Sequence, residues 1–180
     1  LRQFVAPVLT PRLQRDIDIW PGIGFALDLE PARLISLNNM YVRDVTAADL
    51  GGDARHALLW DELDVRASQP APPSARRKTL HWSAATLGAV RVEGFALWWD
   101  SELVDGVSIS TSPLEPATHW QQIYLPLLHA VELQTGDTLE LTIGSDTRPE
   151  VGVRVTWKAR QLRGGKGVSE QALDSLRGQL

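Results

Sequence analysis

From residue 79 onward, apolar side chains recur at every second position, a period that extended strands satisfy and helices do not. The stretch "AVRVEGFALWWD" sets Val90, Val92, Ala96 and Trp98 on one face. On the other, Arg91 and Glu93 give way to Phe95, Leu97 and Trp99. A strand that becomes apolar on both faces passes from a wet edge into a covered centre. Gly94, in its middle, marks a bulge or a close backbone approach. "DGVSIST" adds Val107 and Ile109, and "DTLELTIGS" alternates Leu139, Leu141 and Ile143 with Glu140 and Thr142. "EVGVRVTWKA" alternates Val151, Val153, Val155 and Trp157 with Arg154, Thr156 and Lys158. Short strands separated by Gly, Pro and Asp turns predict a mainly β fold, a distorted antiparallel β-barrel or sandwich.

The first half is less regular. "DIDIWPGIGFALDLEPARLISLNN" reads as a strand or turn, then a short helix starting near Pro31, because proline suits a first helical turn. "NNMYVRDVTAADL" is an extended piece ending in a small turn, and strand character returns around Leu63 and Val65. Residues 68–77, "SQPAPPSARR", are expected to form a proline-rich loop. After residue 160 the pattern changes. A glycine-rich hinge leads to Ser169 as a helix N-cap, with Val168 stapled onto Leu173 and Leu176 continuing that face. The expected organisation is one β domain over 1–160, followed by a hinge and a C-terminal helix over 161–180.

Composition narrows the partners. A net charge of −4 gives no reason to expect nucleic acid or an anionic membrane. No apolar run approaches the roughly 18 residues that cross a bilayer. The absence of cysteine excludes disulfides and thiolate metal sites and fits a reducing, cytoplasmic setting. The opening segment lacks the charged head and apolar middle of a secretory signal. Leu1 in place of Met is expected to mark a boundary inside a longer chain.

Candidate chemistry is sparse. Gly22 and Gly24 lack the third glycine of a dinucleotide loop, since Leu27 stands in its place, and "GGKG" lacks the spacing of a phosphate loop. Asp61, Glu62 and Asp64 read as a solvated acidic face, and Glu93, Asp100 and Glu102 as structural carboxylates. No two of His56, His81, His119 and His129 have the spacing of a zinc helix. In "LHWS", period two sends His81 and Trp82 to opposite faces. The seven tryptophans fit core plugs, ligand platforms or interface anchors.

"EPATHWQQIYLP" is the exception. Thr118 and Gln121 have the Thr-x-x-Gln spacing of a capping box, which predicts one helical turn. On such a turn, His119 and Trp120 point in neighbouring directions without stacking. One reading is a capped turn whose Trp plugs the end of the barrel and whose His is exposed. The other is a turn presenting a titratable ring and an aromatic face to a ligand.

Trp99-Asp100, Ser110 to Pro113, Pro116, Thr118 to Trp120, Gln122 and Gly136-Asp137 stand in order within residues 90–145. Together they resemble the C-terminal barrel of the protein arginine methyltransferases, and "WPGIGFALDL" more weakly resembles the entry into that barrel. Gln121 departs from the pattern, standing where many relatives carry a basic residue. The resemblance implies a barrel attached behind an S-adenosylmethionine-binding domain that residues 1–180 do not contain. No cofactor is expected to bind this chain, and methyl transfer by it alone is not expected. A short helical arm over 30–52 would dock on a second subunit to form a homodimer. Thr118 and Trp120 would help wall the channel for the guanidinium of a protein or peptide substrate. His119 would pair with a carboxylate of the N-terminal methyltransferase domain as an auxiliary catalytic residue. The alternative is a free-standing β-sandwich that binds carbohydrate or another ligand through its indoles.

Overall fold

The computed structural model describes residues 1–53, 55–64 and 73–178. In chain order the elements are β1 (Arg2–Val8), α1 (Arg12–Arg15), α2 (Glu30–Leu37), β2 (Tyr41–Arg43), β3 (Leu58–Glu62) and β4 (Ala75–Ser83). These are followed by α3 (Ala84–Leu87), β5 (Val90–Val104), β6 (Val107–Ser110), β7 (Gln122–Leu133), β8 (Asp137–Asp146), β9 (Arg154–Arg163) and β10 (Lys166–Asp174). The strands make two antiparallel sheets. One runs β2-β7-β5-β1-β3 with β6 paired to β5, and the other runs β10-β9-β8-β4.

Alternation places the core as expected. Leu139, Leu141 and Ile143 of β8, with Trp157 and Ala159 of β9, are buried against Val5, Val92, Phe95 and Leu125 of the other sheet. The opposite face of the four-stranded sheet carries a charge ladder in register, in which His81 pairs with Glu140, Glu140 with Arg160, and Arg160 with Glu170. Directly opposed unlike charges suit a solvated sheet face. Trp82 is buried while His81 is exposed, as period two requires.

Side chains close the seams between the sheets. On one side Arg76 of β4 donates to Asp61 of β3 at 2.7 Å, and Lys78 donates to the Leu59 carbonyl at 2.7 Å. On the other, Gln171 of β10 accepts from the Leu128 and His129 amides at 2.8 and 3.2 Å, and donates to the His129 carbonyl at 2.8 Å. These amides are available because β7 bulges here: Val92 pairs with Val131 but Gly94 with Pro126. Gly94 is obligatory at this point. A Cβ there would lie 2.6 Å from the Leu125 carbonyl oxygen and from the Tyr124 ring.

Several expectations need correction. The C-terminal helix is a strand. Gly164 and Gly165 both have positive φ, and Arg163 pairs with Lys166 across them. A two-residue turn with φ positive at both positions twists as a hairpin does, so the following segment pairs back onto β9. Ser169 then meets Gln161 across the strands at 3.4 Å and caps no helix. The proline-rich loop is shorter than expected: Ala75–Arg77 already belong to β4, while 65–72, including Val65, lie outside the described residues. β9 starts at Arg154, so Val151 and Val153 precede the strand. Asp61 is no solvated carboxylate, because the β3–β4 seam pairs it with Arg76.

The stretch 30–52 divides. Its first part is α2, begun by Pro31 in the first turn as predicted. Its second part belongs to the body of the domain: β2 pairs with β7, and Val45 and Leu50 are buried. Exposed apolar side chains cluster from just before this stretch into α2, at Ile19, Ile23, Phe25, Leu27 and Leu34, with Val42 of β2 exposed as well. Arg33 clasps the base of this segment, donating to Asp18 at 2.8 Å and to the Leu128 carbonyl.

Candidate functional site

The site is assembled where β5 runs past the end of its ladder with β7, which stops at Leu97 opposite Ile123. Beyond it Trp99 and Asp100 continue toward β6, and the chain returns through Ser110–Pro113 to the Thr118–Trp120 loop. The hydroxyls of this return make specific bonds. Ser110 donates to Asp100 at 2.6 Å and accepts from the Ser112 amide at 3.0 Å. Thr111 accepts from the Trp99 amide at 3.0 Å. Ser112 accepts from the Leu114 amide at 3.3 Å, tightening the turn before Pro116.

The expected helical turn at Thr118 does not form. Its hydroxyl accepts from the Trp120 amide, two residues on, at 3.2 Å. That local bond satisfies the hydroxyl without the third-residue contact a capping box requires. The rings therefore sit differently from the sequence expectation. The His119 and Trp120 centroids are 4.6 Å apart at 35°, in contact. Trp120 in turn leans on Trp99, with centroids 5.7 Å apart at 54°. The result is a stepped ledge of imidazole and two indoles at one end of the sheet. Trp120 is 46% exposed, which removes the reading of it as a barrel plug.

Sequence reasoning placed Trp99 on a covered strand face and missed it as part of the ledge. The signal was its position immediately before Asp100, where the β5 pattern ends. Trp98, on the opposite face, borders a groove of about 1370 Å³ that Asp100, Glu102, Glu115 and Arg2 also line. Of the other five indoles, Trp60, Trp82, Trp98 and Trp157 are buried and Trp20 is half-buried. That leaves no row of exposed tryptophans for a carbohydrate platform.

The remaining titratable groups form no second centre among the described residues. His56 is buried, and burial, with Arg55 beside it, holds its imidazole pKa below the usual value. Glu93 is buried against Arg91 at 2.6 Å. No group of three His, Asp or Glu side chains gathers as a metal site among the described residues. Among them, too, no helix is long and apolar enough to cross a membrane. An added Cβ at Gly22 or Gly24 would meet no other group of this chain within 4 Å.

Comparison with known proteins agrees with this architecture. In solved structures, the fold is similar to the Trypanosoma brucei PRMT1 enzyme-prozyme heterotetrameric complex with AdoHcy, at a TM-score of 0.71 and 16% identity over 96% of this chain and 55% of that one. It is also similar to Arabidopsis thaliana protein arginine methyltransferase 10 in a uniquely open conformation, at a TM-score of 0.68 and 16% identity, over 97% of this chain and 59% of that one. In sequence, an arginine N(omega)-methyltransferase of Streptomyces achromogenes subsp. streptozoticus is 34% identical over 53 residues, which is 29% of this chain and 15% of the relative. The chain thus spans little more than half of the solved chains and far less of that relative. A family model described as the arginine methyltransferase oligomerization subdomain matches residues 3–160. With that match over most of its length, on a two-sheet fold that carries the Ser-Thr-Ser-Pro and Thr-His-Trp elements, the chain belongs to the arginine methyltransferase oligomerization subdomain family.

Proposed function

We propose that this chain forms one wall of the acceptor cleft in an S-adenosylmethionine-dependent protein arginine methyltransferase. The methyl-donor domain lies elsewhere in the same protein. The observation that carries the reading is the exposed His119–Trp120 pair backed by Trp99. An indole face steadies a guanidinium through its quadrupole, by about 0.5–2 kcal/mol depending on desolvation. His119 lies beside it and is exposed, where a carboxylate on a facing domain would pair with it. Such a pair would hold the two domains at a fixed spacing, and spacing governs a displacement that needs the acceptor nitrogen in line with the methyl group. Thr118 keeps the loop in shape through its bond to Trp120. Asp100, Glu102 and Glu115 in the neighbouring groove complement a cationic peptide.

The same chain carries a self-association surface. Phe25 is 88% exposed and Leu27 63% exposed, and Phe25 and Ala26 both adopt positive φ. Non-glycine residues hold that conformation at a cost and are found where a surface has a use. We place the homodimer contact on Ile19 to Leu34, which overlaps the first part of 30–52 and begins before it.

The test is His119→Ala in the full-length protein. Methyl transfer to an arginine-bearing peptide is expected to fall about tenfold or more, with the donor dissociation constant unchanged within about twofold. Equal transfer by wild type and variant overturns the reading.

A further inference from the structure

Thr111 and Gln122 are polar and buried, at 2% and 8% exposure, and they form a chain of hydrogen bonds that ends on one residue of the ledge, Trp99. The Gln122 Oε1 accepts from the Val45 amide at 2.9 Å, and its Nε2 donates to the Thr111 carbonyl at 2.9 Å. The Thr111 hydroxyl accepts from the Trp99 amide at 3.0 Å and donates to the Trp99 carbonyl at 3.1 Å. The Thr111 amide also donates to that carbonyl, at 2.9 Å.

The location explains why side chains are needed. On this edge of β5 the ladder with β7 ends at Leu97, and the ladder with β6 begins at Asp100. Trp99 falls in the gap. Thr111 supplies there the donor and acceptor that a neighbouring strand would otherwise provide. Gln122 fixes Thr111 from behind and anchors it to Val45, just past β2. A buried amide satisfied at both ends holds a single geometry, because any displacement strands a polar group away from water.

We propose that Thr111 and Gln122 are positioning residues for the acceptor-facing ledge: they hold Trp99, on which Trp120 and then His119 rest. This inference rests on the reading of that ledge as the acceptor wall, and the two fail separately.

The first measurement is made on the 180-residue chain. Two indoles about 6 Å apart give an exciton couplet in far-ultraviolet circular dichroism, and Trp99→Phe identifies it by difference. Thr111→Val, which keeps the shape and removes the hydroxyl, and Gln122→Leu are expected to lose more than about half of the couplet. Thr111→Ser is expected to restore it. In the full-length protein, the same two variants should lower kcat/KM for an arginine-bearing peptide about five- to tenfold, with donor affinity within about twofold. Unchanged couplet and unchanged peptide kinetics in folded variants overturn the proposal. So does a parallel fall in donor affinity and peptide kinetics, which is what general destabilisation produces. Trp99→Phe leaves the backbone bonds intact and guards against variants that do not fold; peptide kinetics equal to wild type in it also overturn the proposal. If His119→Ala and Trp120→Ala leave transfer intact while Thr111→Val still abolishes the couplet, the acceptor-wall reading fails and the positioning of Trp99 stands.

Discussion

The indole N–H of Trp157 donates to the Pro126 carbonyl oxygen at 2.7 Å, joining the centre of β9 to the bulge of β7. The two sheets meet through a directional bond there, in addition to their apolar faces. Trp157 is 1% exposed, so neither partner has water as a substitute. Trp157→Phe should therefore destabilise the domain by about 2–3 kcal/mol, through the orphaned carbonyl and the lost ring volume. Urea denaturation followed by circular dichroism measures it; a change below about 0.5 kcal/mol would mean that the bond does not join the sheets in solution.

Gly94→Ala tests the bulge itself. The added methyl would sit 2.6 Å from the Leu125 carbonyl oxygen and the Tyr124 ring, and neither is the free end of a flexible chain. Overpacking of this kind costs about 2–3 kcal/mol. The denaturation midpoint should drop accordingly, and Tyr124→Phe in the same background should not relieve it, because the backbone clash remains.

Acid should weaken the connection that holds β1 to the turn after β2. Burial pushes the Asp49 carboxyl up, but bonds from Arg12, Thr10 and Thr46 outweigh it and hold the pKa well below the usual carboxylate range. A folded-state pKa below the unfolded one gives stability that is complete above the unfolded value, near about 4, and is lost as pH falls through the folded value. Wild-type stability should decline on acidification below about pH 5. Asp49→Asn should be less stable at neutral pH and show a shallower acid decline. Parallel curves for the two proteins would assign the acid sensitivity to other carboxylates.

The apolar segment before α2 should govern self-association. Phe25 makes up little of the core, being 88% exposed, so Phe25→Asp should leave the thermal midpoint within about 1 °C. It should also shift sedimentation equilibrium toward monomer by about tenfold or more in dissociation constant. Unchanged association would place the contact elsewhere.

Sequence alone determined β5, β6, β8 and the body of β9, the burial of β8, and the placement of His81 and Trp82 on opposite faces. Each follows from a period of two that the backbone imposes locally. It also located the ledge, because Thr118, His119 and Trp120 are consecutive, and it marked Gly94 as a bulge or a close backbone approach. Only the tertiary structure decided three other points. The last segment became β10 because the Gly164-Gly165 turn brings it against β9, and cross-strand pairing outweighs the helical spacing of Leu173 and Leu176. Thr118 bonded two residues ahead because the loop is held from outside, by Trp99 beneath Trp120. Trp99 entered the site because Thr111 bonds it and Gln122, beyond a turn and a loop, fixes Thr111 from behind. Contacts between residues distant along the chain carry no local period, and they become legible only when the sheets have formed.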